Sequence, residues 1–344
     1  MLTDFQILLG FLICVCLLYR FRHLFTDDEP PPEPSDITVN KEFWKYGGDV
    51  FLDAQNSTRF RVHKDVLIRN SDVFRTDLQV LDSRRADADI VDGCPVLYVA
   101  DYPDDLIYLL RVFYDDRANR MASRGLCVLM EVEALTRMAI KYQVADVRND
   151  CVSRMRSFFT DQFADWDKHM SHGGLRSDSI RLEAQNEAIS AVNLARLTGQ
   201  HSMLPTALLL CCDIPQDELA AGVRLRNGRL DRLSPEDLKK CEEGRKTIKK
   251  AHLVGRGQIC HFGTAGSDCP RKTCAEVLAG WLSTDRIALE RCSDQFNLAE
   301  HELCDYYKLC EQCSVTVRAS IIDYRRAFWK MLPSFFKLGD WPQL

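Results

Sequence analysis

From Asp49 the apolar positions repeat with period two. Val50 and Leu52 fall on one side of an extended chain, with Phe51 and Asp53 on the other. The polar run 54–58 turns the chain, after which Phe60 and Val62 alternate with Arg59 and Arg61. The pair predicts a β-hairpin with one buried face. At Lys64 the period lengthens: Val66 and Leu67 begin a short helix. Asn70 and Ser71 are good N-caps for a second helix carrying Val73, Phe74 and Leu78. Residues 81–92, rich in Asp, Ala and Arg, read as a loop, and 95–100 as a further strand. Asp101 then offers a cap, Pro103 suits a first turn, and Asp104 and Asp105 favour the positive end of a helix. Its apolar stripe is Leu106, Leu109, Leu110 and Phe113. Two more amphipathic helices come next, one on Leu135, Met138, Ala139 and Tyr142, the other on Val147, Cys151, Met155 and Phe158. A sheet this small cannot cover itself, so the helices supply its second layer.

Beyond residue 160 the pattern changes. Residues 161–182 read as a polar linker with a Gly-Gly turn. Helical spacing resumes with Ile189, Val192, Leu194 and Leu197, then Leu204, Leu208 and Cys212. Ser234, Pro235 and Asp237 form a helix start, with Leu238, Cys241, Arg245 and Ile248 continuing it. Glycines and prolines interrupt the period over 255–274, and a last helix spans 321–332. The aromatic tail after it reads as a packing strap.

The N-terminus has its own character. A charge-free run from Phe5 to Tyr19 spans roughly 22 Å as a helix, short of a ~30 Å hydrocarbon core. Flanking apolar residues extend it if Arg20 and Arg22 snorkel. Residues 1–25 are therefore a candidate membrane anchor through 5–19, which would leave everything after Arg20 in the cytosol. The competing readings are an apolar helix docked on the body of the protein, or sequence that is not normally part of the mature chain. Residues 26–40, acidic and proline-rich, predict an extended spacer.

Nearly half of the 344 residues are hydrophobic, enough for a sizeable core. The net charge of −5, with both signs interspersed, gives no overall pull toward nucleic acid. Arg245, Lys246, Lys249, Lys250 and Arg256 are spaced as the solvated face of a helix. The 15 cysteines form no small disulfide-scaffold pattern, and free thiols in a reducing, intracellular compartment account for them.

Three stretches together resemble a BTB/POZ domain: GDVFLDAQNSTRFRVHKDVLIRNSDVF, VLYVADYPDDLIYLLRVFYDD and LTRMAIKYQVADVRNDC. Asp49, Val50, Phe60, Val62, His63, Lys64, Val66, Leu67, Ser71 and Phe74 stand at the family's motif positions. The Asp-Gly-Cys-Pro at 92–95 and the C-terminal organisation also resemble the large BTB family expanded in basidiomycete fungi. The resemblance implies an α+β fold over 41–160, a small β-sheet with a helical cluster; the helical spacing beyond it predicts an all-α domain over 183–344. The resemblance further implies that Asp49 and Lys64 match residues lining a charged groove near an assembly surface. Other proteins are the implied partners, with self-association, cullin-type ligases and transcription factors as candidates within that class. This chain departs from the family in two places. The proline spacer and residues 41–46 stand where many members have a long amphipathic helix, and FRTDLQVLDSRR carries no hydrophobic-x-Glu element.

On this reading the protein is an interaction module, an adaptor or scaffold in the cytoplasm or nucleus, with no catalytic or cofactor-binding residues assigned. His63 has Lys64 and Asp65 beside it and no nucleophile–base arrangement. The alternative is a zinc-binding regulator of ubiquitination or transcription acting through Cys260, His261, Cys269, Cys274, Cys310 and Cys313. A tetrahedral site needs two close pairs, commonly Cys-x2-Cys, and Cys310–Cys313 is the one pair of that spacing. Those two cysteines also fall on a helical stripe with Leu303, Tyr306 and Val317. That favours core packing over a metal site.

Overall fold

The computed structural model describes residues 37–83, 88–115, 125–171, 174–264, 269, 273–283, 292, 304–305 and 307–341. The apolar N-terminal segment and most of the proline-rich spacer lie outside them. Among the described residues no helix is long and apolar enough to cross a membrane. The chain divides into two compact units, Met1–Leu110 and Arg111–Leu344.

The first unit is built on a mixed five-stranded sheet in the order β1-β3-β2-β5-β4. Its strands are β1 (Thr38–Trp44), β2 (Val50–Ala54), β3 (Thr58–Val62), β4 (Ile90–Val91) and β5 (Cys94–Tyr98). The β2–β3 hairpin has the expected register, with Val50 opposite Val62 and Leu52 opposite Phe60. Both faces of β2 are closed, however: all five of its residues are buried. On the second face Arg59 and Arg61 lie over the Phe51 ring, and Trp44 leans on it with centroids 5.4 Å apart. Arg59 also grips Asp53 with two 2.6 Å hydrogen bonds. A period-two pattern reads Asp53 as solvated; a central strand flanked by arginines buries it as half of an ion pair instead. Strand β1, parallel to β3, has no counterpart in the apolar pattern, because Phe43 is its one buried residue. Helix α1 (Lys64–Asn70) and α2 (Asp72–Ser83) cover the sheet motif, and the Ser71 hydroxyl accepts the Phe74 N–H at 3.1 Å as an N-cap. Helix α3 (Pro103–Tyr114) comes after β5, with Asp104 and Asp105 in its first turn.

The second unit is mainly helical. Helix α4 (Leu129–Lys141) pairs with α5 (Ala145–Phe158). Nine of the residues of α4 are buried, from Leu129 to Ala139, more than a single apolar stripe supplies. A helix buried on most sides needs packing partners on most sides. One of these is α7 (Ala188–Thr198), which lies beyond the expected linker. The segment read as a linker, 161–182, is itself structured. It holds α6 (Phe163–Ser171), with Trp166 fully buried, and β7 (Ile180–Arg181), which pairs with β6 (Cys127–Val128). Its polar residues outnumber its apolar ones, but Trp166 and Ile180 carry the packing.

Helix α8 (Leu204–Cys211), apolar except for Thr206, is buried along its whole length, and α9 (Gln216–Ala221) leads into the hairpin β8 (Val223–Arg224) and β9 (Leu230–Asp231). A buried ionic network binds this hairpin to α4. Glu133 accepts from Arg137 and from Arg229, the latter at 2.5 Å, while Asn193 donates to Asp231 at 2.7 Å.

The long helix α10 (Pro235–Thr264) starts as expected: the Ser234 hydroxyl accepts the Asp237 N–H at 3.1 Å. It then continues through Gly255 and Gly257 to Thr264, the first half of the 255–274 region read as glycine-broken. The physical reason is helix–helix approach. α10 packs along α12 (Glu311–Phe335), and a side chain at Gly255 or Gly244 would run into the Tyr324 or Phe336 ring. These glycines are contact points inside a helix rather than breaks. Helix α11 (Thr273–Ser283) also packs on α10. α12 extends beyond both ends of the expected 321–332 helix and carries Pro333 in its last turn. The tail folds back as anticipated: the Trp341 indole N–H donates to the Trp329 carbonyl at 2.8 Å, with the two rings stacked.

Candidate functional site

The motif around His63 is assembled from the end of β3, the start of α1 and the turn between β1 and β2. Phe60, Val62, Leu67 and Phe74 are fully buried and form its apolar floor. Above them the polar members are tied into the backbone. The exposed Asp49 carboxylate accepts the Lys64 N–H at 2.7 Å, capping α1 from across the hairpin. The Lys64 ammonium donates to Asp82 at 2.7 Å, which links the start of α1 to the end of α2. His63 Nε2 lies 3.1 Å from the Tyr46 carbonyl. A carbonyl can only accept, so this nitrogen carries the proton in that contact. The Lys45–Gly48 turn is closed by the Gly48 N–H donating to the Lys45 carbonyl, and Gly47 takes the left-handed conformation at φ 74°.

The structure thus brings Asp49, His63 and Lys64 together, with Ser71 capping the next helix and the four apolar members below. Two features of this surface escape a reading of the sequence. Tyr46 is 102% exposed at the tip of the turn, and Trp44 and Tyr98 are partly exposed, at 37% and 55%. Tyr98 donates to Asp89 at 2.7 Å, which pushes its phenol up to about 12. Exposed aromatics beside arginines are the composition of a protein-binding surface. A single aromatic in a turn gives no periodic signal by which to find it.

The basic cluster divides. Lys246, Lys249 and Lys250 are exposed as a solvated face requires, whereas Arg245 donates to the Cys212 and Ile214 carbonyls and Arg256 is buried. An arginine held on carbonyls is a structural clamp, not a phosphate contact.

Four of the six cysteine and histidine candidates converge. The Sγ atoms of Cys269, Cys274, Cys310 and Cys313 all lie within 4.8 Å of one another. Cys313 approaches Cys269 at 3.4 Å and Cys269 approaches Cys310 at 3.7 Å. Cys274, Cys310 and Cys313 are buried, with Cys269 and Leu309 packed against them. The backbone N–H of Cys313, in the first turn of the helix that Cys310 caps, pulls the Cys310 thiol down to about 7. Burial pushes Cys274 and Cys313 the other way. Cys260 and His261 lie in the last turns of α10, and their side chains fall outside the described residues.

The single stripe read through Leu303, Tyr306, Cys310, Cys313 and Val317 is not formed, because Cys310 caps α12 and stands outside it. Leu303 and Tyr306 fall outside the described residues. The second pair is present in the sequence as Cys269-x4-Cys274, a spacing that zinc ligands also use.

A family model for the BTB/POZ domain matches residues 40–158, the span that carries the His63 motif and helices α1 to α5. No curated protein and no solved structure matches the chain.

Proposed function

We propose, for a chain that over residues 40–158 belongs to the BTB/POZ family, that it works as a non-catalytic adaptor or scaffold inside the cell. The BTB/POZ domain is a protein–protein interaction module. The adaptor reading is supported chiefly by how the motif uses its polar groups. Asp49 caps a helix, Lys64 bridges two helices and His63 faces a backbone carbonyl, while Trp44, Tyr46 and Tyr98 turn aromatic surface outward. Rigid aromatics on a fixed sheet lose little side-chain entropy on binding, which suits them as docking anchors.

The test is affinity purification of the full chain beside a Trp44→Ser, Tyr46→Ser, Tyr98→Ser variant whose circular dichroism and melting match the parent. Loss of specific co-purifying proteins from the variant is expected. Retention of the same partners in the same amounts would remove this surface from the proposal. A turnover activity abolished by His63→Ala in a folded protein would overturn the non-catalytic reading.

A further inference from the structure

We propose that Cys269, Cys274, Cys310 and Cys313 are the four thiolate ligands of a structural zinc ion that clamps the starts of α11 and α12 together.

The geometry fits the ion. A zinc–sulfur bond of about 2.3 Å in a tetrahedron puts neighbouring sulfurs about 3.8 Å apart. The resolved contacts of 3.4 and 3.7 Å, within a group no wider than 4.8 Å, bracket that edge. They are far longer than the ~2.0 Å of a disulfide. The spacing fits as well, with one pair separated by four residues and the other by two. Each pair straddles a helix start: Cys274 is in the first turn of α11, and Cys310 caps α12 with Cys313 in its first turn. Two helix N-termini therefore face the cluster, and their partial positive charge favours thiolate over thiol. The Cys310 N–H also points at Cys274 Sγ, 3.4 Å away, as an outer partner for a ligand sulfur.

The local packing makes the same point. Among the described residues the buried group here is three cysteines, with a fourth cysteine and Leu309 against it. Sulfur rather than hydrocarbon is thus what the two helix starts share among the described residues. Four protein sulfurs fill a tetrahedral shell and leave no position for substrate, so the site is structural rather than catalytic. Binding releases the four thiol protons to solvent and leaves a dianionic centre between the two helix ends.

The full chain, expressed without a metal-binding tag and purified under reducing conditions, provides the test. Elemental analysis should find one zinc per chain. Replacement by cobalt(II) should give the intense visible bands of tetrahedral tetrathiolate coordination. A mercurial should release the zinc, and Cys269→Ser or Cys313→Ser should lose it while Cys94→Ser keeps it. Should the serine variants fail to fold, the cobalt spectrum and mercurial release on the unaltered chain still decide. The proposal is overturned by metal-free protein with unchanged helicity and melting in which the four thiols react freely. A disulfide within the group on peptide mapping, or stoichiometric iron in place of zinc, would overturn it as well.

Discussion

Replacing Gly255 by alanine tests the claim that glycines in α10 mark helix contact rather than helix breaks. A Cβ built there lies 2.0 Å from Cε2 and 2.4 Å from Cδ2 of Tyr324. Carbon atoms pack at about 3.5–4.0 Å, so the ring or the helix must move by roughly 1.5 Å. Tyr324 has little room: it is 9% exposed, and its hydroxyl lies 3.4 Å from His252 Nδ1. Overpacking of this kind costs ~1–3 kcal/mol, against which alanine regains ~1 kcal/mol of helix propensity. The 2.0 Å approach puts the packing cost at the upper end of that range, leaving a net loss of up to ~2 kcal/mol. Gly257 lies two residues away on the same helix, and a Cβ added there meets nothing within 4 Å. The same substitution at that position should stabilise by ~0.5–1 kcal/mol. Urea unfolding of the full chain, followed by far-ultraviolet circular dichroism, reads both. Tyr324→Ala in the Gly255→Ala background should recover part of the loss as a coupling above ~0.5 kcal/mol. Equal effects of the same sign at 255 and 257 would refute the close-approach argument.

Phe60→Ala should cost ~3–5 kcal/mol in the same unfolding assay, because the ring is fully buried in β3 opposite Leu52; a loss under ~1 kcal/mol would mean it is not core. Burial raises the Glu187 carboxyl to about 7, so its contribution to stability is complete below the ordinary carboxylate range and disappears as pH rises through 7. Discounted for partial solvent screening, Glu187→Gln should therefore stabilise by ~1–2 kcal/mol at pH 8 and leave pH 4.5 nearly unchanged, read as melting against pH. His252 runs the other way. Burial, aided by Arg256, lowers it to about 4, so stability present above pH 6.5 is lost as pH falls toward 4. His252→Leu should flatten that acid limb of the profile, and an unchanged limb would assign the loss to other groups.

The local motif was largely legible. The period-two hairpin, the Ser71 and Ser234 caps and the acidic first turn of α3 all depend on neighbours within a few residues, and the structure has each in place. Reading Cys310 and Cys313 as one helical stripe with Leu303 and Tyr306 went astray at Cys310. A period-3.6 count does not reveal that the helix begins one residue after it. The Cys269–Cys274 spacing was visible, but its meeting with Cys310 and Cys313 is a contact between segments distant in sequence.

The sequence by itself determined the sheet-and-helix motif of the BTB/POZ segment and the helical character of the rest of the chain. Hydrophobic period, caps and turn residues are local quantities. Tertiary structure alone decided that β2 is buried on both faces, that Gly244 and Gly255 are contact points and that four cysteine sulfurs lie within 4.8 Å of one another. Each of these depends on which distant surface comes to rest against a residue. Chain spacing carries no record of that, whereas close packing in space fixes it to within an ångström.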